Sequence, residues 1–204
     1  MRGYPALMPP RSAGPDTRVA LLDSAEKIFS RKGYAGVGIN EVLSSIGVPK
    51  GSFYHYFASK DAFGEAVITF YFEHYLLEMD QIMGDSGRTW ADRLMAYWQN
   101  WRETQSLDEC QGRCLAVKLG AEVADMSEPM RLALKTGTTG VIDRLARALE
   151  GGAEDGSLTL DGEAHAMAQS LYELWLGASV MAKVNRSLQP MDNAATVTRR
   201  LLGI

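Results

Sequence analysis

Helical periodicity runs along almost the whole of this chain, and it leaves little room for a sheet. Leu21, Leu22, Ala25, Ile28 and Phe29 fall on one face of a helix from about Thr17 to Lys32, and Gly33 ends it. A shorter helix follows from about Ile39 to Ser45 and is closed by Gly47. Pro49 suits the first turn of a third helix, where its missing N–H costs nothing. Ser59 is placed to cap a fourth, which opens Lys60-Asp61-Ala62-Phe63 and runs to about Met83. The remaining pattern predicts helices near 88–106, 113–125, 128–150, 162–186 and 191–202. Breaks fall at Gln111-Gly112, Ser127-Glu128-Pro129, Gly151-Gly152 with Asp155-Gly156, and Gln189-Pro190. Period-two alternation is confined to Ser157-Leu158-Thr159-Leu160. The expected fold is all-α with about nine helices, without internal repeats or low-complexity tracts.

Charge divides the chain. Residues 1–60 carry eight Lys/Arg against four Asp/Glu, a net of +4, within a chain of net charge −4, so residues 61–204 carry −8. A basic end on an acidic body is expected where one part meets a polyanion and the rest does not. There is no apolar run of ~18 residues, so no membrane-spanning helix is predicted. Residues 1–16 contain Pro and Gly but no apolar signal-peptide core, and they read as a disordered arm. Cys110 and Cys114 lie four apart without a second metal-type pair, so neither a structural zinc nor a disulfide is expected, and the chain reads as a protein of the reducing cytoplasm. No nucleophile elbow, zincin helix, phosphate loop or dinucleotide fingerprint occurs, so the chain has no recognisable catalytic machinery and implies no cofactor.

The segment Val48-Pro49-Lys50-Gly51-Ser52-Phe53-Tyr54-His55-Tyr56-Phe57 mixes basic, hydroxyl, small and aromatic residues over about two turns. Three short helices, with Gly47 between the second and third, make a helix-turn-helix, in which the later helix enters the major groove. Lys50 is suited to a phosphate or a guanine edge, and Gly51 to close approach of the backbone. Ser52, Tyr54 and His55 can donate to phosphates or bases, and Lys60 is placed for a phosphate. Phe53 and Phe57 are expected to face inward. A solvated surface helix with an aromatic core face is the plainer alternative.

The run Ile39 to Phe63, with Ala25-Glu26-Lys27-Ile28-Phe29-Ser30-Arg31-Lys32-Gly33-Tyr34 before it, resembles the DNA-binding domain of TetR/AcrR-family transcriptional repressors. The likeness covers about residues 17–63. It implies a homodimer on a pseudo-palindromic double-stranded DNA operator, with residues 64–204 forming a regulatory and dimerisation domain that takes a small-molecule inducer. The segments 162–186 and 191–202 would then build a four-helix dimer interface, using Leu171, Leu174, Leu176, Ala178 and Val180. Where the family often places a phosphate-binding Thr at the start of the second helix, this chain has Val37, and Asn40 is the expected substitute.

Residues 114–123, 127–131, 174–178 and 182–187 further resemble the group typified by the N-ethylmaleimide-reductase repressor, whose members respond to reactive electrophiles and oxidants. The group's thiol falls on Cys114 and a Lys of its later motif on Lys183, while Arg113 replaces the Gly that usually precedes the Cys. A thiolate is the reactive form of Cys, and a cation or helix N-terminus favours it. Cys114, expected in the first turn of its helix beside Arg113, is the candidate trigger, and Tyr97, Trp101 and Trp175 are candidate pocket residues. The bland alternative is a buried structural thiol in a same-fold repressor induced by a non-covalent ligand. A small all-α enzyme with a Cys nucleophile is the remaining alternative from another class.

Overall fold

The computed structural model describes residues 15–110 and 114–204, and these form nine α-helices with no strand. The N-terminal unit comprises α1 (Pro15–Lys32), α2 (Ile39–Ser45) and α3 (Lys50–Tyr56). The long α4 (Lys60–Met83) leads out of it into α5 (Trp90–Cys110), α6 (Leu115–Ala124), α7 (Glu128–Glu154), α8 (Ala164–Asn185) and α9 (Gln189–Leu202). The expectation of a disordered arm falls on residues that lie mostly outside those described; α1 itself begins at Pro15, two residues before the predicted start.

Local signals behave as the chemistry predicts, with two corrections. The Ser59 hydroxyl accepts from the Ala62 N–H at 3.0 Å and caps α4. Pro49 is the N-cap of α3 and not a first-turn residue, with the extended ψ of 150° that precedes a helix. The Gly151-Gly152 pair does not break α7, which continues to Glu154. Those glycines are there for space: a Cβ on Gly151 would lie 2.4 Å from Trp90 Nε1, and one on Gly152 would lie 2.5 Å from Leu158 Cδ2.

An aromatic knot holds the N-terminal unit together. Phe53 of α3 is fully buried and packs on Phe57 at 5.4 Å and Phe63 at 5.1 Å between ring centroids, and Phe29 of α1 meets Phe63 at 6.1 Å. A seven-residue helix such as α3 is unstable by itself, so these contacts fix it. Gly47, at φ +66°, makes the turn between α2 and α3.

In the C-terminal part, Trp98 of α5 stacks on Trp175 of α8 at 4.5 Å and 14°. Trp101 donates to Ser179 Oγ at 3.0 Å, and Trp175 donates to Thr198 Oγ1 at 2.9 Å, so α5, α8 and α9 are pinned to one another through buried indoles. This corrects the expected dimer face: Leu171 and Ala178 belong to the core of the protomer, and Leu174 and Leu176 are half-buried. The apolar residues that α8 and α9 leave exposed are Val180, Met181, Val184, Val197 and Leu201.

Candidate functional site

Two sites can be built from these helices, one on α2–α3 and one between α1, α4, α5 and α6. On the first, Phe53 and Phe57 point inward, which turns the opposite side of α3 outward. Lys50, Gly51, Tyr54 and His55 are exposed, Ser52 is half-buried, and Asn40 in the first turn of α2 is exposed. A Cβ on Gly51 would meet nothing within 4 Å in its own chain. The absence of a side chain there is not required by packing, and it leaves room for an external surface. Val37 is buried in the core, and Gly38 caps α2 without a side-chain bond. Lys60, expected at a phosphate, is half-buried and also holds contacts within its own chain. Its ammonium lies 4.3 Å from the centre of the Tyr34 ring and donates to the Tyr34 carbonyl at 3.1 Å. Tyr34 in turn donates to Asp61 at 2.7 Å, so Lys60 and Asp61 tie the start of α4 to the segment after α1.

The second site is a cavity of about 150 Å³ whose lining includes Glu26, Tyr71, Tyr75, Trp101, Gln105 and Cys114. Cys114 is the N-cap of α6 and half-buried, without a side-chain cap bond, and the Val117 and Ala116 N–H donors and the Tyr71 hydroxyl favour its thiolate. Burial pushes the Cys114 thiol above its ordinary range, although those donors and the Lys183 charge all pull it down. The expectation that a helix start and a cation make this thiol acidic is therefore corrected: desolvation outweighs them. Burial also lowers the Lys183 ammonium, against the favourable charge of Cys114.

Of the other candidates, Trp101 lines the cavity, whereas Tyr97 is buried beside it, hydroxyl to hydroxyl with Tyr75 at 2.8 Å. Trp175 belongs to the indole stack and does not line the cavity. Arg113 lies outside the described residues, as does the side chain of Cys110. Sequence reading missed Tyr71, Tyr75 and Gln105. A signal for Gln105 existed: Leu94, Trp98, Trp101 and Gln105 follow a 4-3-4 spacing, which places a polar residue on a core stripe. Among the described residues, no cluster of His, Cys, Asp or Glu could hold a metal ion. No described helix is long and apolar enough to cross a membrane.

The two sites are physically joined. Glu122, at the far end of the helix that Cys114 caps, accepts from the Tyr34 N–H at 3.1 Å and the Ala35 N–H at 2.6 Å. Gly33 beside them has φ +77°, and a Cβ there would lie 2.7 Å from Glu122 Oε2. A left-handed residue followed by free amides makes a small anion-binding concavity, and Glu122 fills it. Glu26 adds a second link, since it stands on α1 yet lines the cavity.

Comparison with known proteins agrees with this arrangement. Residues 21–67 match the family described as bacterial regulatory proteins, tetR family, and residues 91–198 match the tetracyclin repressor-like C-terminal domain. The chain is 42% identical over 192 residues to the HTH-type transcriptional repressor NemR of Escherichia coli K12, covering 92% of this chain and 94% of that protein. It is 31% identical over 191 residues to the transcriptional regulator AcuR of Cereibacter sphaeroides, covering 90% and 85%. The crystal structure of the reduced form of E. coli NemR superposes with a TM-score of 0.87 over 92% of this chain and 97% of that one.

Proposed function

Because the chain belongs to the tetR family of bacterial regulatory proteins, we propose that it is a homodimeric repressor that leaves its operator when Cys114 reacts with an electrophile or oxidant. It is a regulator and not an enzyme. The observation that carries the proposal is the single helix joining Cys114 at its cap to Glu122, whose carboxylate grips the segment entering the reader unit. Reaction at the cap changes the seat of α6, and α6 holds the loop after α1.

Asn40, Lys50, Gly51, Ser52, Tyr54 and His55 are the proposed DNA contacts. Two copies of α3 would occupy successive major grooves of a pseudo-palindrome, about 34–36 Å apart. The exposed Val180, Met181, Val184, Val197 and Leu201 support dimerisation through α8 and α9. Lys50→Ala is expected to weaken operator binding and to lower the slope of log affinity against log salt by about 1 if Lys50 meets a phosphate. Fluorescence anisotropy across a salt series measures both. Unchanged affinity and slope would remove Lys50 from the interface.

The likeness to NemR, whose solved structure is of a reduced form, supports a redox-responsive trigger such as the thiol, and the raised Cys114 pKa favours a second reading, release by a non-covalent ligand in the same cavity. Cys114→Ser decides between them. The variant is expected to bind the operator normally and to stay bound under an electrophile dose that releases the parent protein. Full release of the serine variant would end the covalent reading.

A further inference from the structure

We propose that the carboxamide of Gln105 is a recognition group for a small neutral ligand, about one ring in size, that carries a carbonyl beside an N–H or O–H donor. The inference rests on the reading that the cavity beside Cys114 is the inducer site, and it names what that site selects.

Gln105 is 1% exposed and lines the cavity, yet neither its Oε1 nor its Nε2 has a hydrogen-bond partner among the described residues. A buried polar atom left unmatched opposes folding, and a carboxamide has donor and acceptor side by side. On the same stripe Trp101 is satisfied by Ser179, whereas Trp98 Nε1 is also unpartnered but does not line the cavity. Leucine would suit the core stripe that Gln105 interrupts. Retaining a carboxamide there makes sense when something else completes its bonds, and its adjacent donor and acceptor fit the matching edge of an amide or hydroxy-carbonyl compound.

Size and charge narrow the class. A cavity of about 150 Å³ is the size that takes up benzene in an engineered protein core. Aromatic side chains of Tyr71, Tyr75 and Trp101 line it, which favours a flat ligand. Burial and the nearby Asp23 raise the Glu26 carboxyl, so this space already disfavours negative charge and selects against a carboxylate ligand. A ligand held by Gln105 shares its cavity with Cys114, so a reactive member of the class would be bound before it meets the thiol.

The test uses benzamide, which has the required edge and one ring but does not alkylate thiols. Calorimetry or ligand-observed NMR on the full chain is expected to detect binding to the parent protein and, undiminished, to Cys114→Ser. Gln105→Leu is expected to bind benzamide at least about fivefold more weakly. It should bind toluene at least as well as the parent and melt no lower. Gln105→Met, closer in shape, is the second variant should Gln105→Leu fold poorly. Equal benzamide binding by the parent and both variants overturns the proposal, as does no binding to the parent. A lower melting temperature in both variants would assign the carboxamide to the fold, through a buried water, and also overturns it. Operator release is not part of this readout. If Cys114→Ser still leaves DNA on electrophile treatment, the thiol trigger fails while the benzamide result stands.

Discussion

Replacing Phe53 with Ala is expected to abolish operator binding while most of the helical circular-dichroism signal survives. The ring is fully buried and is the main apolar tie between α3 and the rest of the N-terminal unit. Phe→Ala in a core costs about 3–5 kcal/mol, against a total of about 5–15 kcal/mol for a whole domain. The loss falls on a helix of seven residues that cannot hold its shape unaided. The four tryptophans, Trp90, Trp98 and Trp101 in α5 and Trp175 in α8, all lie outside the N-terminal unit, so near-ultraviolet tryptophan signals should change little. Anisotropy with operator DNA and hydrogen exchange at residues 50–56 measure the two sides. Operator affinity within about tenfold of the parent would mean that this ring does not position α3.

The second large effect is expected at Glu122. Its two carboxylate oxygens satisfy the Tyr34 and Ala35 amides, and charge-assisted bonds of this kind contribute about 1.5–3 kcal/mol each. Glu122→Ala should therefore uncouple the halves. The ratio of operator affinities before and after Cys114 modification is expected to fall by about fivefold or more, the lower end of ordinary allosteric coupling. Glu122→Gln keeps one carbonyl acceptor and should fall between Ala and the parent. Titration of operator into modified and unmodified protein supplies the ratio. An unchanged ratio in a well-folded Ala variant would show that α6 does not transmit through this contact.

Much of this was legible in the sequence, and the exceptions have physical reasons. Periodicity located the helices because each must bury a stripe, and Ser59 marked its helix start because caps act locally. Gly151-Gly152 misled because glycine serves two purposes: here it admits the Trp90 ring and the Leu158 side chain instead of ending a helix. Leu171 and Ala178 looked like interface residues because composition does not say which face of an apolar helix is used inside its own subunit. The acidity expected of Cys114 failed for a related reason. The helpers foreseen for it, a helix start and Lys183, are near in sequence or suggested by resemblance, whereas the burial that outweighs them is a property of the assembled core. Gln105 acquires meaning only when α5 meets the cavity, and Glu122, legible as a polar residue inside an apolar run, gains its partners only when α6 meets the loop after α1.

The Glu122 contact is made to main-chain N–H groups and not to side chains. The link between the two halves therefore places no demand on the side chain of Ala35, whereas the Tyr34 ring is buried against Phe29 and Gly64 and its polar edge meets Lys60 and Asp61. Substitutions at exposed Ala35 leave the grip intact unless they introduce proline, the one residue without the donor. The inheritance of the connection rests instead on a glycine and a glutamate far apart in the chain. Among descendants of this protein, Gly33 and Glu122 should be kept or lost together, while the loop surface between the reader and the body drifts freely.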